Sequence, residues 1–212
     1  MVGSFAKSYK YSLDANKGYW TDKSTNPKKG SVKSTERVDF SKYSSLVKRF
    51  GCELEGWGLS ATGGKVTVPN GKYWITDDTN FYAIWTKNIG LFYWDGSTGA
   101  TDNSIIAKGL PITNLTAERW NRLREKILAV ATARANATAI NKINAISTVQ
   151  PTDTLTADMF NDIREVIALL EGSTTLPNKV KSNEPVLASY FNGTTSLKSA
   201  LNAAIIAWNN SQ

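Results

Sequence analysis

The side chains able to do chemistry form a narrow set here: 18 carboxylates, 25 Lys and Arg, one thiol and no imidazole. The missing histidine removes the commonest general base and metal ligand, and with it every Ser-His-Asp or Cys-His arrangement. Cys52 alone can make neither an internal disulfide nor a zinc site, and its expected place is that of a small buried apolar residue. Carboxylate pairs remain, the equipment of glycosidases. No acidic pair stands apart from the general run of charge, so the chain is read as non-enzymatic. No catalytic residue, metal ligand or cofactor-binding residue is assigned, and no cofactor is expected.

The cations are the unevenly placed group. Residues 1–88 hold 14 Lys and Arg against 8 Asp and Glu, whereas residues 89–212 hold 11 against 10. The net charge of +7 therefore belongs almost wholly to the first part. Its densest stretches run from Lys23 to Lys33 and from Lys42 to Arg49. Lys23, Lys28, Lys29 and Lys33 are the candidate contacts to an anionic surface. A solvated lysine loop is the simpler reading of the same residues. No nucleic-acid-binding motif accompanies them, so no specific nucleic-acid partner is expected.

The elements that must carry these residues divide near Asn88. No run of about 18 apolar residues occurs, so no membrane insertion is expected. Met1 to Lys7 lacks the apolar stretch of a signal peptide. In residues 1–88 the pattern is strand-like. Tyr9, Tyr11 and Leu13 alternate with polar residues, Tyr19-Trp20 can open a second strand, and Phe81 to Trp85 reads as the last. Val66 and Val68 alternate between a Gly63-Gly64 turn and a Pro69-Asn70-Gly71 turn. Lys23 to Lys33, with Pro27 and Gly30, reads as a loop. Asp39 to Phe50 reads as a helix with Leu46, Val47 and Phe50 on one face and Gly51 as its stop. Trp57 and Trp85 are expected as core anchors in preference to sugar-stacking platforms.

Residues 89–212 open with Phe92, Tyr93 and Trp94 and then turn to helical periodicity. Leu115-Thr116-Ala117-Glu118-Arg119-Trp120-Asn121 recurs as Leu155-Thr156-Ala157-Asp158-Met159-Phe160-Asn161, 40 residues later and without a gap. Repeat cores lie at 115–130, 155–170 and, more weakly, 186–207. Thr116 and Thr156 are N-cap candidates, Glu118 and Asp158 suit the helix dipole, and Leu115 with Trp120, like Leu155 with Phe160, occupies the positions of a hydrophobic staple. The recurrent Asn121 and Asn161, with Asn192 in the third copy, are expected to bond a neighbouring loop carbonyl and so set how one helix sits on the next. Arg124-Glu125 and Arg164-Glu165 read as a solvated face. Ala131 to Ile146 can hold a short helix, and Gly172 ends the second repeat helix. Leu197 to Trp208 reads as a terminal helix, packed on its own bundle or used as a subunit contact.

Two resemblances follow from these pieces. Tyr11 to Gly18, Glu55-Gly56-Trp57 and Asp78 to Trp85 resemble, in order and spacing, the Listeria–Bacteroides repeat, the internalin B-repeat-like module of surface and some phage proteins. It departs from that pattern at Lys17 and in the lysine-rich stretch after Trp20. The resemblance implies a small β-grasp fold and a spacer or adhesion role with no ligand site to carry over. Phe92-Tyr93-Trp94, Gly109 to Leu115 and the repeat cores resemble a region of tailed-phage virion structural proteins. The expectation is an α+β chain: a β-grasp-like module over 1–88, then a mainly α-helical repeat module over 89–212. Its expected function is that of a virion accessory protein, a head decoration, fibre or tail component, located in the virion. The expected partners are other virion proteins, further copies of itself and host surface glycans. Phe92, Tyr93, Trp94 and Trp208 are the candidate assembly contacts. A bacterial cell-surface or secreted adhesion protein is the alternative.

Overall fold

A computed structural model of the chain describes residues 6–106 and 115–211. The Gly109 to Asn114 part of the second resemblance, with Pro111, lies outside them. The chain divides into two compact units, Met1–Asn88 and Ile89–Gln212. It is an α+β protein, with a mixed sheet in the first unit and, among the described residues, six helices in the second.

The first unit is built on β1 (Ser8–Asp14), β3 (Lys28–Lys33), β6 (Cys52–Ser60), β7 (Gly63–Thr67) and β9 (Thr79–Lys87), in the order β3-β1-β9-β6-β7. The central pair β1 and β9 is parallel, and every other pairing is antiparallel. Two short ribbons flank the sheet: β2 (Tyr19–Trp20) with β5 (Val47–Lys48), and β4 (Val38–Asp39) with β8 (Lys72–Tyr73). Alternation in β1 turns Leu13 fully inward and leaves Tyr9 and Tyr11 half-buried on the same face. The core is an aromatic stack. The Trp57 ring lies nearly parallel to Trp20 at 6.3 Å and to Phe40 at 5.5 Å, and Phe81 meets Phe40 edge-on at 4.9 Å. Each such pair adds about 0.5–1.5 kcal/mol beyond the area it buries. Trp57 is thus the expected anchor, while Trp85 is half-buried, its indole N–H donating to the Ala15 carbonyl at 2.9 Å.

Two expectations for this unit fail. Lys28 to Lys33 is a strand, not a loop. It holds the sheet edge, where lysines discourage further strand pairing. Its register places Gly30 opposite Tyr11, and a Cβ there would come within 2.5 Å of the Tyr11 ring. Asp39 to Phe50 is not a helix either. Only one turn forms, α1 (Ser41–Ser44), after which Val47 enters the core as part of β5. Leu46 and Phe50 are exposed, because they fall in the turns on either side of β5 and not on one helical face. Cys52 is half-buried.

The second unit comprises α2 (Asp102–Ile105), α3 (Ala117–Ala133), α4 (Ala137–Ala145), α5 (Ala157–Ala168), α6 (Ala188–Phe191) and α7 (Leu197–Asn210). Thr116 and Thr156 cap α3 and α5, accepting from the backbone N–H of Arg119 and Met159. The buried stripes follow helical spacing: Trp120, Leu123, Ile127 and Val130 on α3, Phe160, Ile163 and Ile167 on α5, Leu201, Ile205 and Trp208 on α7. Of the three isoleucines spaced by three in α4 and its cap, only Ile143 is buried. The second repeat helix stops earlier than Gly172, at Ala168, and Gly172 lies in the following turn with φ +81°.

Helices alone do not hold this unit together. Asn121 donates from its amide to the Val149 carbonyl (2.9 Å) and accepts from the Val149 N–H (2.9 Å). Asn161 grips Val180 in the same two-sided way (2.8 and 3.0 Å). Three residues on, Arg124 and Arg164 donate to the carbonyls of Ile146 and Pro177. These arginines therefore bind loop backbone instead of forming a solvated face. On α7 the pattern recurs: Asn202 clamps Phe92 and Asn209 clamps Ile89. Asn192 differs, donating to the Asn103 side chain at 3.0 Å.

Two outcomes follow. Asn161→Ala should leave both polar groups of Val180 without their partner and cost about 1–3 kcal/mol of stability in urea unfolding. Asn161→Asp should lose nearly as much at neutral pH, since its carboxylate can accept but not donate. The α3 helix ends in a Schellman turn, with Ala135 N–H on the Thr132 carbonyl and Asn136 N–H on the Ala131 carbonyl. Ala135 sits there with φ +51°. Replacing this exposed alanine by glycine should raise stability by about 1 kcal/mol in the same assay, because the left-handed conformation penalises Cβ.

Candidate functional site

Asp22, Asp39, Glu55, Asp95 and Glu165 are held as anions by local structure. A hydrogen bond from Lys28 lowers the pKa of Asp22, and hydrogen bonds from Ser41 lower that of Asp39. Lys65 lowers Glu55, and Lys179 lowers Glu165. Asp95 organises a loop: its carboxylate accepts from the backbone N–H of Ser97 and Gly99, foremost that of Ser97, and its pKa falls to about 2. A carboxylic acid that protonates a leaving group needs the opposite, a raised pKa. Among the described residues, every carboxyl with a clear shift moves down. Burial pushes the Cys52 thiol up, away from the reactive thiolate. No group of three or more potential metal-ligating side chains occurs among the described residues. No helix there is long and apolar enough to cross a membrane.

The four lysines do not form one patch. Lys28 is tied to Asp22 at 2.6 Å and lies 5.7 Å from the Trp20 ring. Lys23 sits before the strand with φ +67°, its ammonium 5.2 Å from the Tyr19 ring. Lys29 and Lys33 share the exposed face of β3 with Ser31, and Lys10 of β1 lies opposite Ser31.

The aromatic assembly contacts need correction. Phe92 and Trp94 are 1 % and 0 % exposed, packed edge-on at 4.8 Å, and the Trp94 indole N–H donates to the Phe191 carbonyl. Trp208 is 8 % exposed, with the Arg134 guanidinium over its ring. All three belong to the core of the helical unit, because α7 needs an apolar strip to bury and the 89–94 segment supplies it. Tyr93 is half-buried beside Lys198.

A site that sequence reading missed lies in the first unit. A cleft of about 570 Å³ is bordered by Trp74, Arg37, Lys42, Lys72, Asp39 and Glu36, with Tyr11 contributing to its wall. Trp74 is 47 % exposed, and the Arg37 guanidinium stacks over its ring at 5.1 Å. The register of the β4–β8 ribbon explains the pairing. Val38 opposes Tyr73, so the next residues outward, Arg37 and Trp74, meet across the ribbon. Asp39 and Lys72 pair within it at 3.5 Å. Among the described residues, Arg37 and Lys42 have no ion-pair partner. The only signal in the sequence is Tyr73-Trp74 following the Gly71 turn, too short a strand to show a period. A larger hollow of about 1140 Å³ in the helical unit has one charged side chain on its described wall, Lys198, which Asp102 neutralises at 2.5 Å.

Comparison with family models, curated proteins and solved structures finds no match to the chain.

The loop around Asp95 yields a pH dependence. A carboxyl whose folded pKa lies below its unfolded value of about 3.9 contributes stability above that value and loses it as pH falls through the folded pKa. The melting temperature should therefore decline between about pH 4 and pH 2. Asp95→Asn, which keeps an acceptor oxygen but cannot titrate, should show a shallower decline over that window.

Proposed function

We propose that this chain is a non-enzymatic accessory protein of a tailed-phage virion, serving in head decoration, a fibre or the tail. In this reading the helical unit attaches to the particle and the first unit projects to engage the host surface. The observation that carries it is how the helical unit uses its repeated motif. Thr116/Thr156, Asn121/Asn161 and Arg124/Arg164 all spend their polar groups on holding the unit's own backbone. That is the economy of a rigid scaffold, and it supports the 40-residue repeat on which the virion resemblance rests. The strand order β3-β1-β9-β6, with a parallel central pair, supports the β-grasp-like reading of the first unit. The downward shifts of its carboxylates favour binding over acid catalysis.

Immuno-electron microscopy of purified virions, with an antibody to this chain, tests the assignment. Regular labelling at one location on the particle is expected. Particles that carry no label, from a lysate that contains the protein, would overturn it.

A further inference from the structure

The cleft beside Trp74 has the parts of a ligand site, and we propose that it binds a saccharide carrying a carboxylate, such as a uronic acid unit. The proposal deepens the surface-binding part of the proposed function. Particle attachment is measured separately, so failure here would leave that assignment standing.

Three features point to this ligand. The first is Trp74 itself, a large indole left 47 % exposed at the border of a cleft in a unit that buries Trp20 and Trp57 completely. An exposed ring of this size offers the flat apolar face on which a pyranose ring stacks, at the cost of only two side-chain torsions. The second is Arg37. Its guanidinium lies over the indole at 5.1 Å and has no ion-pair partner among the described residues, and a guanidinium can take a carboxylate through two parallel hydrogen bonds. The third is the surrounding charge. Lys42 adds a second cation without an ion-pair partner among the described residues, while Asp39 and Glu36 supply acceptors for sugar hydroxyls. Asp39 is kept ionised by Ser41 and Lys72, so it accepts without donating. Acidic peptides also seek cations, but they make no use of the exposed ring or of the acidic acceptors. The combination therefore favours a saccharide. Because the cations of the cleft are exposed, the affinity should be modest and should weaken with added salt.

The test uses the full chain, labelled with ¹⁵N, and follows the Trp74 indole N–H while four probes are added. These are a hyaluronan tetrasaccharide, a tetragalacturonate, the neutral chitotetraose and a tetraglutamate peptide. At least one acidic sugar should shift the Trp74 signal to saturation. Chitotetraose and tetraglutamate should bind at least tenfold more weakly. Trp74→Ala and Arg37→Lys should each reduce acidic-sugar affinity at least tenfold. Arg37→Lys retains the charge at an exposed position and so carries the test if the tryptophan variant is unstable. Absence of a saturating shift with both acidic sugars would overturn the proposal. So would equal binding of tetraglutamate, which would make the site a plain cation cluster, or equal binding of chitotetraose, which would remove the carboxylate from recognition. Unchanged affinity in Arg37→Lys would overturn it as well.

Discussion

The helical unit depends on one interaction, the two-sided hydrogen bond between an asparagine amide on a helix and the backbone of an extended segment. An extended segment that leaves water must find partners for its N–H and C=O groups. A helix cannot supply them from its own backbone, which is already paired within the helix. The asparagine amide carries one donor face and one acceptor face at the spacing of a peptide group, so it stands in for a neighbouring strand. Asn121, Asn161, Asn202 and Asn209 each do this. The ion pairs are secondary to it. Several join exposed side chains, such as Lys179 with Glu165 or Lys181 with Glu184, where such contacts contribute about 0–1 kcal/mol.

The first unit solves the same problem with a sheet, and its constraint is volume. Few residues are available to bury, so the interior is filled by broad rings. Trp20, Trp57 and Phe40 stack, and Phe81 closes the stack edge-on. Ser44 is fixed between the Pro69 and Phe40 carbonyls and meets the Trp57 indole N–H at 3.3 Å, which ties the one-turn helix to that stack. Trp20 and Trp57 are turned inward, whereas Trp74, just past the end of the two-residue strand β8, is left half exposed.

What could be read from the sequence follows from how local each signal is. The starts of α3 and α5 were legible because cap, acidic first turn and staple all lie within six residues. The strands β1 and β9 were legible through alternation. The strand β3 was hidden because an edge strand buries only Val32 and its lysines imitate a loop. The stretch from Asp39 to Phe50 misled because apolar residues three and four apart also occur in a turn followed by a short strand. The asparagines were half legible: their recurrence signalled a contact to loop backbone, but not that it would be two-sided. The aromatic run at 92–94 looked like a surface contact because its cover, α7, begins more than 100 residues away. The Trp74 cleft was invisible for a related reason, since Arg37 and Trp74 meet only through the register of a ribbon two residues long.

The asparagine clamp has a consequence for how the helical unit can vary. It recognises main chain only, so the gripped residue can be Val149, Val180, Phe92 or Ile89 without change in the bond. It is also indifferent to connection length: the partners are 28 and 19 residues apart in two cases, and 110 and 120 in the others. The helix side is demanding by contrast, because glutamine is a methylene too long and aspartate lacks the donor. Such a unit is tolerant in its connecting segments and strict at four helical positions, so substitutions and insertions can accumulate between the helices while the frame keeps its shape.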